Sequence, residues 1–209
     1  QADTALGFPL SDLMLNGSQN ELRQTENAQP AILAVSLAYY RVMEEILGET
    51  MPHPKFLAGH SLGEYTAMVV AGAISPEEAF RLVRARAQLM QIASSQNPSG
   101  MAAVMGFEKS KAIEVCVETG VQLANINTAE QLVIAGAEGP LADAIRIFEE
   151  RGAKRVVRLE VSGAFHSEIM GSVQDQLTTE ITKTAIHGSS VPVIANTTAQ
   201  PIQTPEEIR

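Results

Sequence analysis

Apolar and polar positions along this chain follow two different periods, which predict helices and strands in turn. Helical spacing together with typical start and stop residues predicts helices over Asn27–Leu47, Leu62–Ala73 and Ser75–Ala93. The first helix has Asn27 as its cap and Pro30 in its first turn, and a short apolar strand is expected at Phe56–Gly59. No buried strand is predicted in the first ten residues. This mixture of elements favours the α/β class.

A second rhythm begins after Ser94–Gly100, a stretch rich in Ser, Asn, Pro and Gly that is the clearest boundary in the chain. The elements that follow have the order β-α-β-β-α-β, which is that of a ferredoxin-like unit. Strands are expected at Met101–Met105, Gln122–Asn125, Gln131–Ala135 and Arg155–Val161, and helices at Lys109–Glu118 and Pro140–Arg151. We therefore predict a ferredoxin-like subdomain at residues 101–161, inserted into a larger α/β domain formed by residues 1–100 and 162–209.

The remaining elements are assigned to the larger domain. A helix is expected near Glu168–Thr184 and a strand at Val191–Ala195. Thr204 then caps a helix that has only begun when the sequence stops at Arg209. The first residue, Gln1, is not an initiator residue. We therefore expect elements of the domain to be missing at both ends.

Composition limits the classes of protein that fit. With 209 residues, 45% of them hydrophobic, the chain can form a packed core and is too apolar for a disordered protein. The net charge of −9 argues against a nucleic-acid-binding surface, and no apolar run is long enough to cross a bilayer. The single cysteine, Cys116, excludes an internal disulfide and is expected to fill the core, and four scattered histidines leave no zinc cluster. We therefore expect a cytoplasmic protein without a metal site.

The sequence Gly59-His60-Ser61-Leu62-Gly63 matches the pattern G-x-S-x-G and lies between a predicted strand and a predicted helix. In such a turn the serine is lifted into a strained position, and flanking glycines let neighbouring backbone come close. The hydroxyl then lies at the positive end of the following helix, and the N–H of Leu62 is an expected oxyanion donor. The alternative is a chance pattern in a glycine-containing turn, but the flanking strand and helix favour a nucleophilic Ser61.

A serine hydroxyl becomes a good nucleophile when a nearby base takes its proton. His166 lies in a Gly-containing loop directly after a predicted strand and is the best candidate for this base. Its alternative role is that of a hydrogen-bonded loop residue, and the other histidines are expected to be solvated or to point away from the serine: His53, His187 and His60. The only aspartate between Ser61 and His166 is Asp143, on the polar side of a helix, so we predict a Ser–His dyad without an acid.

Arg86 interrupts the apolar face of the helix Ser75–Ala93. At about 100° per residue, six apolar residues fall within about 60° of it: Ala79, Leu82, Val83, Leu89, Met90 and Ala93. Arg81 and Arg84, by contrast, are expected to face water. An unpaired buried guanidinium costs on the order of several kcal/mol, so Arg86 needs an anion. Spacing leaves two equal possibilities, a structural salt bridge to an internal carboxylate such as Glu64, or a bidentate grip on a substrate carboxylate.

With these residues assembled, the chain resembles the malonyl-CoA:acyl-carrier-protein transacylases of the bacterial type and the related acyltransferase domains of polyketide synthases. The resemblance spans essentially the whole chain and rests on several motifs in the same order and spacing. These are Glu26 to Ala31, Gly59 to Tyr65, Arg86 with Met90, Asn125 to Asn127 with Gln131 to Gly136, and Gly163 to Ser167. The implied fold is an α/β-hydrolase-like core, residues 1–100 and 162–209, that carries the ferredoxin-like subdomain.

The resemblance implies a function in fatty-acid or polyketide synthesis. A malonyl group would pass from malonyl-CoA to the phosphopantetheine thiol of an acyl carrier protein through a malonyl ester of Ser61, with no bound cofactor. His166 would act as base and then as acid, and Arg86 would hold the malonyl carboxylate. Phe165 matches the position whose bulk favours malonyl over methylmalonyl, a difference of about 1–3 kcal/mol for one methyl group. The further substrate-binding candidates are Leu62 and Met90.

An acidic carrier protein needs a local basic patch on an acidic partner. The densest basic cluster in the chain is close in sequence to His166 and consists of Arg151, Lys154, Arg155 and Arg158. We expect the carrier protein to dock there, with a solvated strand edge as the alternative interpretation of the same residues.

Two other functions remain open at this point. One is a serine esterase or thioesterase with the same strand-to-helix turn and water as the acyl acceptor. The other is an inactive scaffold fragment that retains the fold. Arg86 separates the transferase from the esterase, because a hydrolase of neutral esters has no use for a buried cation.

Overall fold

The computed structural model describes residues 1–209. Its helices are α1 (Ala2–Leu6), α2 (Leu10–Asn16), α3 (Gln19–Arg23), α4 (Thr25–Leu47), α5 (Gly63–Val70), α6 (Pro76–Gln96), α7 (Lys109–Thr119), α8 (Glu138–Glu150), α9 (Gln174–Lys183) and α10 (Pro205–Ile208). Its strands are β1 (Leu57–Ala58), β2 (Ser99–Met105), β3 (Gln122–Thr128), β4 (Gln131–Ala137), β5 (Arg155–Arg158), β6 (Val193–Ile194) and β7 (Pro201–Ile202). Short 3₁₀ turns occupy Gly48–Thr50 and Glu168–Val173. The chain is therefore an α/β protein.

The chain divides into two compact units. The first unit contains Gln1–Ala87 and Gln176–Arg209, and the second contains Gln88–Asp175. The chain thus leaves the first unit and returns to it.

The first unit is built around a small three-stranded sheet with the order β1-β6-β7. Strands β1 and β6 run parallel, and Leu57 and Ala58 lie opposite Val193 and Ile194. The core beside this sheet joins apolar side chains from helices α4 and α6, from the segments just before and after α5, and from the region near the end of the chain: Leu33, Leu62, Ala73, Ile74, Ala79, Phe80, Val83, Ile186 and Ile208. This core positions the turn that leads from β1 into α5.

The second unit has an antiparallel sheet with the order β3-β4-β2-β5. Helices α7 and α8 supply apolar side chains to the core on this sheet, where the rings of Phe107 and Phe148 meet edge to face at 5.0 Å. Cys116 is buried in the same core, and burial raises the pKa of its thiol to about 11, so the thiol stays protonated. The residue therefore packs as a small apolar side chain, as expected from the sequence.

The helices and strands expected from the sequence are present, with shifted ends and some additions. Helix α4 begins at Thr25, so Asn27 lies inside the helix instead of capping it. Helix α6 continues to Gln96, three residues beyond its predicted end at Ala93, and β2 begins at Ser99, so the predicted boundary Ser94–Gly100 contains the end of the helix and the start of the strand. The sequence reading also missed α1, α2 and α3, which are short helices. No helix is both long enough and apolar enough to span a membrane.

Candidate active site

The G-x-S-x-G sequence forms the strand-to-helix turn that its pattern predicts. Strand β1 ends at Ala58 and helix α5 begins at Gly63, and between them Ser61 has a φ of 49°. A left-handed conformation costs about 1–2 kcal/mol for a residue with a Cβ, so the surrounding contacts must hold it. A Cβ on Gly59 would lie 2.0 Å from the carbonyl carbon and oxygen of Gly63. The close approach that this turn requires is therefore available only to glycine at position 59.

Asn196, in the segment that follows the neighbouring strand β6, is hydrogen-bonded to this turn. Its Oδ1 accepts a hydrogen bond from the backbone N–H of Ser61 at 2.8 Å, and its Nδ2 donates to the carbonyl oxygen of Gly59 at 2.7 Å. The backbone N–H of Asn196 donates to Oε1 of Glu64 at 3.2 Å. The turn is thus tied on both sides of the serine.

Arg86 reaches the serine hydroxyl from helix α6. Its Nη2 donates to Oγ of Ser61 at 3.0 Å, its Nη1 donates to Oε1 of Gln29, and the guanidinium carbon lies 5.7 Å from the centre of the Tyr65 ring. Arg86 is 8% exposed, which confirms the prediction from the helical periodicity that it is buried. Burial lowers the pKa of the guanidinium, while the nearby Tyr65 and Glu64 act in the opposite direction.

Glu64 does not pair with Arg86 as a hydrogen-bonded salt bridge. Its Oε1 accepts from the N–H of Asn196, and it acts on Arg86 as a nearby charge. Burial raises the pKa of the Glu64 carboxyl, and the hydrogen bonds from Asn196 and the charge of Arg86 partly oppose that rise. The hydrogen bonds of Arg86 therefore go to a neutral amide and a neutral hydroxyl, and this arrangement suits an incoming anion.

Arg84 corrects one expectation, since it does not face water. Its Nη1 donates to the carbonyl oxygen of Glu26 and, at 2.9 Å, to Oδ1 of Asn27, and its Nη2 lies 3.1 Å from the Glu26 carboxylate. The physical reason is Pro30, which lies inside α4 and has no N–H to donate to the carbonyl four residues earlier. Arg84 supplies that missing donor, and its guanidinium also lies 4.8 Å from the centre of the Phe8 ring.

Leu62 stays with Ser61 and Arg86 in the first unit. It is buried in the core of that unit, where its side chain anchors the residue that follows the serine. The first-turn N–H groups of a helix have no partner within the helix, and Leu62 caps α5. Its backbone is therefore at the place where the sequence predicts an oxyanion donor.

His166, Phe165 and Met90 belong to the second unit. His166 is exposed and has a φ of 58°, a left-handed conformation in the loop after β5. Phe165 packs against the sheet beside Met101, Ala103, Val133, Ala135 and Ala164. Met90 is 8% exposed, and its carbonyl oxygen accepts from Oγ of Ser94 at 2.8 Å. The roles of these three residues stay predictions.

The loop that carries His166 is fixed within its unit by close contacts. A Cβ on Gly163 would lie 2.2 Å from Oγ of Ser94, so the loop packs directly on helix α6 at this point. The N–H of Ala164 donates to Oγ of Ser99 at 3.1 Å. Oγ of Ser167 donates to the carbonyl oxygen of Ala164 at 2.6 Å. These bonds close the loop around Phe165 and His166.

Two residues of this site were missed at the sequence level. Gln29 is 8% exposed and lies one turn before the buried Leu33 on α4, so the periodicity used for Arg86 could also have found it. Asn196 directly follows the predicted strand Val191–Ala195. Because the carboxyl ends of parallel strands meet at one edge of a sheet, its position was a usable signal once the β1–β6 pairing was known.

A left-handed serine at a sharp turn between a strand and a helix has the geometry described for nucleophilic serines in α/β proteins. Residues 2–208 match the acyl transferase domain family, and the chain belongs to that family.

Individual relatives agree with the family. The chain is 41% identical over 204 residues to the malonyl CoA-acyl carrier protein transacylase of Bacillus subtilis, covering 95% of this chain and 63% of that protein. The structure of the corresponding transacylase from Coxiella burnetii has a TM-score of 0.93 at 36% identity, covering 98% of this chain and 65% of that one. A malonyl-transacylase solved in complex with a type II PKS acyl-carrier protein also has a TM-score of 0.93, at 34% identity, covering 99% of this chain and 67% of that one. The chain thus spans somewhat less than two thirds of the Bacillus and Coxiella proteins.

The two glycines of the turn provide a matched test of its geometry. We expect Gly59→Ala to lower the free energy of unfolding by about 1–3 kcal/mol, because its Cβ meets backbone that cannot move without unwinding the first turn of α5. Gly63→Ala, whose Cβ meets nothing within 4 Å, is expected to leave the stability unchanged or to raise it slightly. Urea unfolding followed by circular dichroism measures both, and equal losses would contradict the described turn.

Proposed function

We propose that this protein transfers a malonyl group from malonyl-CoA to the phosphopantetheine thiol of an acyl carrier protein, by way of a malonyl ester on Ser61. The observation that carries the proposal is the bond from Nη2 of the buried Arg86 to Oγ of Ser61 at 3.0 Å. This bond puts a buried cation beside the hydroxyl, and in the proposed reaction that cation would bind the free carboxylate of the malonyl group. Family membership and the names of the relatives support the same reaction.

In the first half-reaction, Oγ of Ser61 attacks the thioester carbonyl carbon of malonyl-CoA. His166 takes the hydroxyl proton, and the carbonyl oxygen becomes an oxyanion that the N–H of Leu62 stabilises. The carbon–sulfur bond then breaks, and the proton held by His166 passes to the departing CoA sulfur. The products are free CoA and the malonyl ester of Ser61.

In the second half-reaction, His166 takes the proton of the carrier protein's thiol, and the resulting thiolate attacks the ester carbonyl. When the ester bond breaks, His166 returns the proton to Oγ of Ser61, and the malonyl thioester of the carrier protein leaves. The phosphopantetheine arrives on the partner protein, so the reaction requires no cofactor held by this chain.

Arg86 gives the site its preference for a dicarboxylic acyl group. The malonyl carboxylate replaces the serine hydroxyl at Nη2, and Gln29 keeps the other arm of the guanidinium fixed. A charge-assisted bond to a buried guanidinium is stronger than a neutral one, so an acyl group without a carboxylate gains less from this site. Phe165 and Met90 remain the candidates for further contacts with the acyl group, and the bulk of Phe165 would act against a methyl branch.

We also infer the finer fold class. The order β2-α7-β3-β4-α8-β5 and the sheet order β3-β4-β2-β5 support a ferredoxin-like subdomain at residues 101–161. The parallel β1–β6 pair and the serine turn after β1 support an α/β-hydrolase-like core formed by residues 1–100 and 162–209.

Two of the four residues in the basic cluster proposed for carrier docking already form ion pairs within this protein. Nη2 of Arg151 lies 2.6 Å from Oε2 of Glu118, and Nη2 of Arg158 lies 2.5 Å from Oε1 of Glu138. These pairs reduce the positive charge that the two arginines offer to a partner. Lys154 and Arg155 are exposed, and we propose that they carry most of the docking interaction.

The covalent intermediate gives the direct test of the reaction. After incubation with malonyl-CoA, mass spectrometry is expected to find one malonyl adduct, on the peptide that contains Ser61. Ser61→Ala should abolish the adduct, and His166→Ala should slow its formation by at least about 1,000-fold, because the hydroxyl then lacks its base. A folded protein that forms no adduct would support the inactive scaffold instead.

Arg86→Ala tests the substrate class. We expect malonyl loading to fall by about 30- to 100-fold, the equivalent of about 2–3 kcal/mol of charge-assisted hydrogen bonding, while acetyl loading changes by less than about threefold. Arg81→Ala, an exposed arginine on the same helix, serves as the control and should leave both rates unchanged. Equal losses with the two acyl groups would contradict a carboxylate-binding role and favour an esterase-type site.

Charge reversal tests the docking surface. We expect the double variant Lys154→Glu, Arg155→Glu to raise the KM for the carrier protein by about 3- to 10-fold at low salt and to leave the KM for malonyl-CoA unchanged. The control is Lys109→Glu, Lys111→Glu, which makes the same change of charge on helix α7. A similar rise in both variants would show a general charge effect instead of local docking.

A further inference from the structure

Asn196 and the serine turn are neighbours because of the topology of the first unit. Strands β1 and β6 run parallel, with Ala58 opposite Ile194, so the segments that follow the two strands leave the sheet at the same edge. Two residues beyond these paired positions, the first segment has entered the serine turn and the second has reached Asn196. The contact therefore joins segments that are 135 residues apart in the sequence.

The side chain of Asn196 uses both ends of its amide on the backbone around the nucleophile. The oxygen accepts from the N–H of Ser61, and the nitrogen donates to the carbonyl oxygen of Gly59. A planar amide fixes the distance and direction between these two groups. The two peptide groups are consequently held at a fixed separation, with the backbone of His60 between them.

Asn196 is itself held on a short, hydrogen-bonded turn. The N–H of Ala195 donates to the carbonyl oxygen of Gln200 at 3.0 Å, and the N–H of Ala199 donates to the carbonyl oxygen of Ala195 at 2.9 Å. The backbone N–H of Asn196 also donates to the side chain of Glu64, which lies in the first turn of helix α5, directly after the serine turn. The amide is therefore presented from a fixed backbone.

Ser61 requires such support because its φ of 49° lies in the left-handed region, which a residue with a Cβ leaves when nothing restrains it. A change of backbone conformation at Ser61 would swing Oγ away from Nη2 of Arg86. We propose that Asn196 is a positioning residue: its side chain clamps the two successive peptide groups that precede the nucleophile, one on each side of His60, and so keeps Oγ of Ser61 aimed for attack.

This proposal rests on the proposed function only for the identity of the acyl donor, so its test uses two reagents. A small fluorophosphonate reacts with an activated serine and has no carboxylate, whereas malonyl-CoA reports the proposed reaction. Asn196→Ala removes both side-chain bonds. Asn196→Asp has nearly the same shape and keeps an acceptor for the Ser61 N–H, but it cannot donate to Gly59.

We expect both variants to react with fluorophosphonate, and to turn over malonyl-CoA, about 10- to 100-fold more slowly than the parent protein, because a displacement of about 1 Å at a reacting atom can cost about 100-fold. The KM for malonyl-CoA should change by less than about threefold. Thr198→Ala is the control: its hydroxyl is in the same turn and accepts from the N–H of Gln200, and both rates should stay within about twofold.

The outcomes separate the two proposals. A variant with an unchanged melting curve and parental rates, or one with a raised KM and unchanged kcat, would overturn the positioning role of Asn196. If Asn196→Ala fails to fold, Asn196→Asp decides the question alone. If the parent protein reacts with fluorophosphonate at Ser61 but takes no malonyl group, the proposed function fails, and the fluorophosphonate rates still decide the role of Asn196.

Discussion

A buried guanidinium imposes the main constraint on the first unit. Arg86 loses most of its hydration inside the helix packing, and its hydrogen bonds to Gln29 and Ser61 return only part of that loss. The contact holds only if helix α4, helix α6 and the serine turn keep their relative positions to within a fraction of an ångström. Because the buried charge is stable only with these hydrogen bonds, the position of the Ser61 hydroxyl depends on helix α4, helix α6 and the serine turn together.

Local sequence patterns predicted the parts of this site whose signals are local. The serine turn follows from five consecutive residues, and the burial of Arg86 follows from the period of a single helix. The order of elements in the second unit could be predicted in the same way, because each helix and strand there has its own period and its own start and stop residues. None of these inferences required knowledge of which segments meet in space.

The errors arose where distant segments or competing local bonds decide the outcome. Arg84 was expected to face water because its own helix gives no sign of α4, whose carbonyl it satisfies. The helix was predicted to end at Ala93, where the sequence becomes rich in Ser and Asn, yet α6 continues to Gln96, and the side-chain amide of Asn97 donates to the carbonyl oxygen of Ala93 at 3.0 Å. For α3, the capping pair Ser18 and Glu21 was a local signal that the reading overlooked.

A proline in the interior of a helix usually removes one hydrogen bond of that helix, but in α4 the freed carbonyl group forms a contact with another helix. Pro30 leaves the carbonyl oxygen of Glu26 without a donor inside α4, and Arg84 of helix α6 donates a hydrogen bond to that oxygen. The two helices are thereby held together at this position. Pro30 and Arg84 therefore act together on one carbonyl group. The change in the free energy of unfolding on replacing one of them depends on whether the other is present. Two positions on different helices thus depend on each other through one carbonyl group.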